Sequence, residues 1–146
     1  PRRQNEPIYR GLNPFLIYYP IVLTAVALSI FVWFNKNYDN LLMAQTACFL
    51  TIGMFELYQS IASRSTIYPV WKVGILKNRY LILAVVSSFT IMASGIFIPS
   101  FGKLVDMAQL SVFHFAFIVI VSSLGAIIIE ACKYYKTKNE VIEVNI

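Results

Sequence analysis

The sequence predicts an all-α fold, a four-helix transmembrane bundle with both termini cytoplasmic. Three observations carry that reading. Hydrophobic residues make up 58% of the 146 positions, against roughly 45–50% in soluble domains. Charged residues make up 13% and are clumped between long apolar runs. No run shows sustained period-two alternation, so backbone groups inside lipid have to be satisfied within helices.

Crossing about 30 Å of hydrocarbon takes roughly 20 apolar residues. Four stretches are long enough, at about 14–34, 41–62, 80–98 and 110–132. The first opens on Asn13-Pro14, an N-cap followed by proline at the first helical position. Pro20 lies one to two turns further in and predicts a kink. Residues 35–40 form a short polar turn. The second stretch is apolar from Leu41 onward, yet carries Glu56 well before Arg64. Residues 63–79 form a polar loop, and the third stretch closes at Pro99, Ser100 and Gly102. Ser122, Gly125 and Ala126 in the fourth are small residues that favour close helix packing. Residues 133–146 read as a tail. The whole chain, 1–146, reads as a single membrane domain without internal repeats or low-complexity tracts. It opens on Pro1 in a polar, basic stretch, which is read as a fragment or processed chain with no signal-peptide pattern.

Lysine and arginine set the topology. Arg2, Arg3 and Arg10 precede the first span; Arg64, Lys72, Lys77 and Arg79 lie between the second and third; Lys133, Lys136 and Lys138 follow the fourth. Ten basic residues thus fall on one side, against Lys36 and Lys103 on the other. This predicts a multi-pass integral membrane protein with cytoplasmic termini, a cytoplasmic loop at 63–79 and a cytoplasmic tail at 133–146. Tyr18, Tyr19, Trp33, Tyr58, Tyr68, Trp71, Tyr80, Tyr134 and Tyr135 cluster toward the expected interfaces, so the lipid bilayer is the first partner. The net charge of +5 forms no contiguous patch on a soluble module, which argues against nucleic acid. Cys48 and Cys132 lie at depths differing by roughly 20 Å at 1.5 Å rise per residue. A disulfide needs Cα atoms within about 7 Å, so both read as free thiols, and their spacing fits no metal site.

Glu56 is the informative residue. It lies about 15 residues in from Leu41, roughly 22 Å from the outer surface. A charge at mid-helix costs roughly 2.5–3.5 kcal/mol on insertion scales, and a protonated carboxyl would cost less. No Lys or Arg of the chain lies at its depth. Gln45, Cys48, Glu56, Gln59 and Ser63 fall at helical spacing, with Ile52 the apolar exception, and that face is expected to look into a bundle rather than lipid. Two readings stand: a protonated carboxyl hydrogen-bonded to neighbouring helices, or a cation ligand on a transport path. His114 is expected near the outer end of the fourth span, at the interface or facing the bundle. Glu130 is expected in a local ion pair with Lys133 at i+3. Asp39 and Asp106 fall in outer loops. No nucleophile–base pair, Gly-rich phosphate loop or metal-ligand pair occurs, so the segment by itself carries no catalytic residues.

Several blocks in order resemble the C-terminal membrane domain of P-type cation-transporting ATPases, nearest to the calcium-pump branch. "PRRQNEPI" (1–8) resembles the basic Glu-Pro segment linking the sixth and seventh helices of such pumps. "ELYQSIASRS" (56–65) resembles the eighth helix, "VWKVGILKNRYLILAV" (70–85) the loop into the ninth, "IFIPSFGKL" (96–104) its exit, and "IIIEACK" (127–133) the end of the tenth. The resemblance implies that this chain holds the last four of ten transmembrane helices. It implies that Glu56 lends carboxylate oxygen to an intramembrane Ca²⁺ site. Ca²⁺ takes about six to eight oxygens, so the other ligands would come from further helices. Gln59 stands where the family commonly has Asn, and the resemblance implies a place for its longer amide behind Glu56, one layer out from the ion. The pump so implied is an ATP-driven cation translocase that uses ATP and Mg²⁺ through a phosphorylated aspartate, and the Asp-Lys-Thr-Gly motif of that step is not in this segment. Its partners would be the remaining transmembrane helices and cytoplasmic domains of the pump. Two alternatives stay open: a pump for H⁺, Mg²⁺ or Na⁺, and a free-standing four-helix membrane scaffold.

Overall fold

The computed structural model describes the backbone of residues 13–63, 72, 74 and 78–144, and side chains from Tyr18 onward except Ile129, Cys132, Lys133 and those of 135–144. Arg2, Arg3, Arg10, Arg64, Lys77 and block 1–8 lie outside the described residues. Five helices follow in order: α1 Asn13–Tyr38, α2 Leu41–Ala62, α3 Arg79–Phe97, α4 Pro99–Leu104 and α5 Val112–Val144. No strand occurs among the described residues.

Each boundary has a local cause. α1 begins at Asn13 and runs on through Pro20. It ends where Asp39 turns left-handed, φ 46°, with its N–H bonded to Asn35 O at 3.1 Å. Asp tolerates that region because its short side chain crowds little. Asn40 then caps α2 by accepting from the Met43 N–H at 3.0 Å, which satisfies an otherwise orphaned donor. Two residues therefore reverse the chain. Asn78 caps α3 in the same way, accepting from Leu81 N–H at 3.2 Å. α3 stops because Ile98 precedes Pro99, and a residue before proline is pushed out of the helical region; Ile98 is extended, φ −105° and ψ 105°. Pro99 then sits in the first turn of α4, which the sequence reading took as loop. α5 continues to Val144, past the Cys132 end expected from hydropathy. Nothing from Ala126 onward is glycine or proline, so nothing stops the helix when the residues turn polar.

α1, α2 and α3 contain segments long and apolar enough to cross a membrane, at Tyr18–Tyr38, Leu41–Ala62 and Arg79–Phe97. The fourth expected span falls on α5, whose described apolar segment, Val112–Ile128, is shorter.

α2 is the central helix. It packs against α1 and α5 and, less extensively, α3, while α1 and α5 meet along a narrower seam. The core joins Ile30 and Phe34 of α1 to Ala44, Ala47 and Leu50 of α2, with Ile96, Leu110 and Ile118 from the other side. Small residues set the approach, as the sequence led one to expect. Gly125 of α5 is buried, and the Phe55 ring occupies the space a Cβ there would need. Membrane helices have little hydrophobic drive to associate within lipid, so such close packing carries their stability.

Candidate functional site

Glu56 sits on the outside of these helices. The side of α2 that packs is marked by Ala47, Leu50, Thr51, Met54 and Phe55, all buried. Gln45, Glu56 and Ser63 are exposed, Ile52 is 41% exposed, and Cys48 and Gln59 are half-buried. The polar face predicted from helical spacing exists as one face. It does not look into the bundle formed by α1, α3 and α5 but away from it. The cause is the 3.6-residue period itself: Phe55 and Tyr58 take the inward positions, and the residue between Phe55 and Leu57 is turned out.

The Glu56 carboxyl makes no hydrogen bond or ion pair with another described residue; only its backbone carbonyl is engaged, by the Ser60 hydroxyl at 2.8 Å. The reading of a protonated carboxyl hydrogen-bonded to neighbouring helices of this chain therefore finds no partner among those described. Tyr19 of α1 lies within electrostatic reach of Glu56, and its hydroxyl donates to Phe55 O at 3.0 Å. The second lone pair of a helical carbonyl is free to accept such a bond. One turn beyond Glu56, Gln59 Oε1 is buried and has no hydrogen-bond partner among the described residues. An orphaned amide oxygen of this kind costs roughly 1–3 kcal/mol. It lies beside Glu56 on the helix surface, where residues three apart are neighbours. Glu56 and Gln59 thus place a carboxylate and an amide oxygen within one turn of α2, and oxygen is the donor that hard cations take.

Sequence reasoning placed Tyr19 and Tyr58 only at interfaces. The structure uses both as ties between helices: Tyr58 Oη donates to Val119 O of α5 at 3.2 Å. Which carbonyl a tyrosine reaches depends on helix rotation, which spacing alone does not give.

The remaining candidates resolve differently. His114 is half-buried, with Nε2 2.7 Å from Tyr38 Oη and Nδ1 3.1 Å from Ser111 Oγ. The Phe34 and Tyr38 rings meet it edge-on, with centroids 5.4 and 5.0 Å away. Nε2 therefore ties the start of α5 to α1, while Nδ1 is engaged locally by Ser111 just before the helix. Glu130 is 9% exposed, and the side chain of Lys133, its expected partner, lies outside the described residues. Cys48 is a free thiol. Asp39 and Asp106 are exposed turn residues. No group of three or more His, Cys, Asp or Glu side chains able to hold a metal ion occurs among the described residues, so any cation at Glu56 needs ligands from elsewhere.

Three helices long and apolar enough to cross a membrane set the class of the chain, a membrane protein. The family described as "Cation transporting ATPase, C-terminus" matches residues 1–135, and the chain belongs to that family. Among curated relatives, it is 25% identical over 152 residues to Calcium-transporting ATPase 1 of Bacillus cereus (strain ATCC 10987 / NRS 248), covering 93% of this chain and 17% of the relative. It is 25% identical over 117 residues to Calcium-transporting ATPase type 2C member 1 of Homo sapiens, covering 79% of this chain and 13% of the relative. The corresponding mouse protein is 24% identical over 119 residues, covering 80% and 13%. The chain therefore spans less than a fifth of the length of these relatives, and the resemblance to calcium-pump C-terminal domains is borne out.

Proposed function

We propose that this chain is the C-terminal membrane domain of an ATP-driven P-type cation pump that transports Ca²⁺, with both termini cytoplasmic, and that Glu56 donates carboxylate oxygen to an intramembrane cation site. The observation that carries the proposal is the placement of Glu56: outward, and one turn from the buried Oε1 of Gln59, both without a partner among the described residues. Against lipid, that carboxylate would cost roughly 2.5–3.5 kcal/mol. Against further transmembrane helices of the same pump it becomes an asset, because those helices bring the remaining oxygens a Ca²⁺ ion takes. Gln59 stands behind Glu56 as a second oxygen, either on the ion or on a water bound to it. α1 and α5 brace α2 from the opposite side and hold the ligand turn in place. ATP binding, Mg²⁺ and the phosphorylated aspartate belong to the parts of such a pump outside this segment.

The test is ATP-dependent ⁴⁵Ca²⁺ uptake by membrane vesicles carrying the full-length protein, with wild type compared with Glu56→Gln and Glu56→Ala. Both variants should express and fold, since Glu56 supports no internal packing, and both should lower Ca²⁺ affinity by tenfold or more, on the order of one lost charged ligand. Unchanged Ca²⁺ affinity and stoichiometry in both variants would sink the assignment of Glu56. Uptake of H⁺, Mg²⁺ or Na⁺ instead of Ca²⁺ would keep the site and replace the ion. No ATP-dependent transport of any cation would leave the scaffold reading.

A further inference from the structure

The outer face of the α1–α5 seam holds a groove that belongs to neither Glu56 nor the core. Ala25, Ser29 and Trp33 of α1 form one wall, and Phe117 and Val121 of α5 the other, around about 360 Å³. Ser29 and Trp33 also line an adjoining hollow of about 470 Å³ that runs to Lys36 and Asn37. The two hollows meet at Ser29 and Trp33 along α1. No residue of α2 lines it, although α2 packs on both α1 and α5. The groove therefore opens on the side of the seam away from α2. Protein that packs against Glu56 does not thereby cover it.

Its chemistry is graded along its length. Ala25 and Ser29 are small and lie one turn apart, so the wall is hollow between the larger Val26, Ile30 and Trp33. The Ser29 hydroxyl is turned back on Ala25 O at 2.7 Å, so its donor is satisfied within the helix. From Ala25 to Trp33 the helix rises about 12 Å, most of one leaflet's half of the roughly 30 Å hydrocarbon core. At the end nearest the α1–α2 turn the groove reaches Trp33, 43% exposed, a residue that favours headgroup level. One turn beyond is Lys36, which makes no ion pair with a described residue. The Asn37 amide donates to Trp33 O at 2.7 Å, leaving its carbonyl end outward. No acid lines either hollow; Asp39, the acid nearest in sequence, lies in the turn beyond α1.

We propose that this groove binds one anionic phospholipid of the leaflet into which the α1–α2 turn opens, its acyl chain along Ala25, Ser29 and Trp33 and its phosphate on Lys36. A zwitterionic lipid fits the apolar channel equally well but brings its own cation to the phosphate. The unpaired lysine at the mouth selects for the anion. The inference rests on the membrane reading of this chain and not on the cation site.

The experiment reconstitutes the full-length protein in nanodiscs of three parts phosphatidylcholine to one of phosphatidylglycerol. Each sample carries a trace of a photoactivatable analogue of one or the other lipid, and labelled peptides are mapped by mass spectrometry. Label from phosphatidylglycerol should concentrate on 25–36 and 117–121 and exceed that from phosphatidylcholine. Lys36→Ala should lower the phosphatidylglycerol label there by about fivefold, the weight of one lysine at an anionic surface, and Lys36→Arg should restore it. Ser29→Leu, which fills the channel, should abolish label from both lipids. Both Ser29 and Lys36 are exposed, so these variants should leave transport unchanged, which separates failure here from failure of the cation site. Equal labelling by the two lipids with no effect of Lys36→Ala overturns the proposal. So does disulfide-linked dimerisation of a Ser29→Cys variant, which would put a second copy in the groove, or recovery of a single-span protein cross-linked to it.

Discussion

The hydroxyl of Tyr19 donates to the backbone carbonyl of Phe55 at 3.0 Å, one residue before Glu56. This bond couples α1 to the turn of α2 that carries the proposed ligand. Tyr19→Phe removes the hydroxyl but keeps the ring, so its edge-on contact with Phe55, centroids 6.1 Å apart, persists. The loss is about 0.5–1.5 kcal/mol, too little to unfold the domain. The full-length protein should keep its yield and maximal ATPase rate, while its half-saturating Ca²⁺ concentration rises by up to about tenfold. A cation titration of ATPase activity reads this directly. An unchanged half-saturation would show that α1 does not position Glu56.

Gln59→Leu should move stability and affinity in opposite directions. The buried Oε1 has no partner, and such an acceptor costs roughly 1–3 kcal/mol. Replacing it by a hydrocarbon of similar size should raise the melting temperature of the cation-free protein, measured by scanning fluorimetry. If that oxygen serves the ion, Ca²⁺ affinity should fall in the same variant, and the stabilisation on adding Ca²⁺ should shrink with it. A gain in stability with unchanged affinity would make Gln59 a frustrated packing residue and nothing more.

These two residues also mark how far the sequence could be read. The spans of α1, α2 and α3 follow from apolar length, and the polar face of α2 from helical period. The facing of that period was not legible. An amphipathic helix points its polar stripe at whatever is polar, and spacing cannot say whether that lies inside this bundle or beyond it. Glu56 looks outward because Phe55 and Tyr58 have better partners inward, in Gly125 and Val119 O. Those partners lie more than 60 residues away in sequence. α4 was hidden because Pro99, Ser100 and Gly102 also fit a loop, and the extension of α5 because hydropathy ends where helical propensity does not.

Gly125 is a packing position whose cost can be measured. A Cβ there would run into the Phe55 ring, and Phe55 is itself buried, 1% exposed. Gly125→Ala should destabilise the full-length protein in detergent by about 1–3 kcal/mol, the usual cost of overpacking. Phe55→Leu makes room, so the double variant should be more stable than the sum of the single effects predicts. Additive melting-temperature changes would mean that α2 and α5 shift apart freely and that the contact does not set their spacing.

Thr46 tests whether the segment between α4 and α5 is held by one side chain. Its Oγ1 donates to Leu42 O at 2.8 Å and accepts from the Ala108 N–H at 2.8 Å. Thr46 is 3% exposed, and Ala108 is half-buried. The hydroxyl therefore joins α2 to a stretch 62 residues on. Thr46→Val keeps the shape and removes both bonds. The Leu42 carbonyl retains its helical partner, but the Ala108 N–H is left without an acceptor, at roughly 1–3 kcal/mol. Met107 N–H stays bonded to Gly102 O at 2.9 Å, so α4 itself should survive and only the segment after it should loosen. Hydrogen exchange should then accelerate at 108–111 and not at 99–105, and Thr46→Ser should restore protection because its hydroxyl reaches the same N–H. Equal exchange in all three proteins would place the restraint on the hydrogen bonds at the start of α5 instead, those of His114 to Tyr38 and Ser111 and of the Phe115 N–H to Ser111 O.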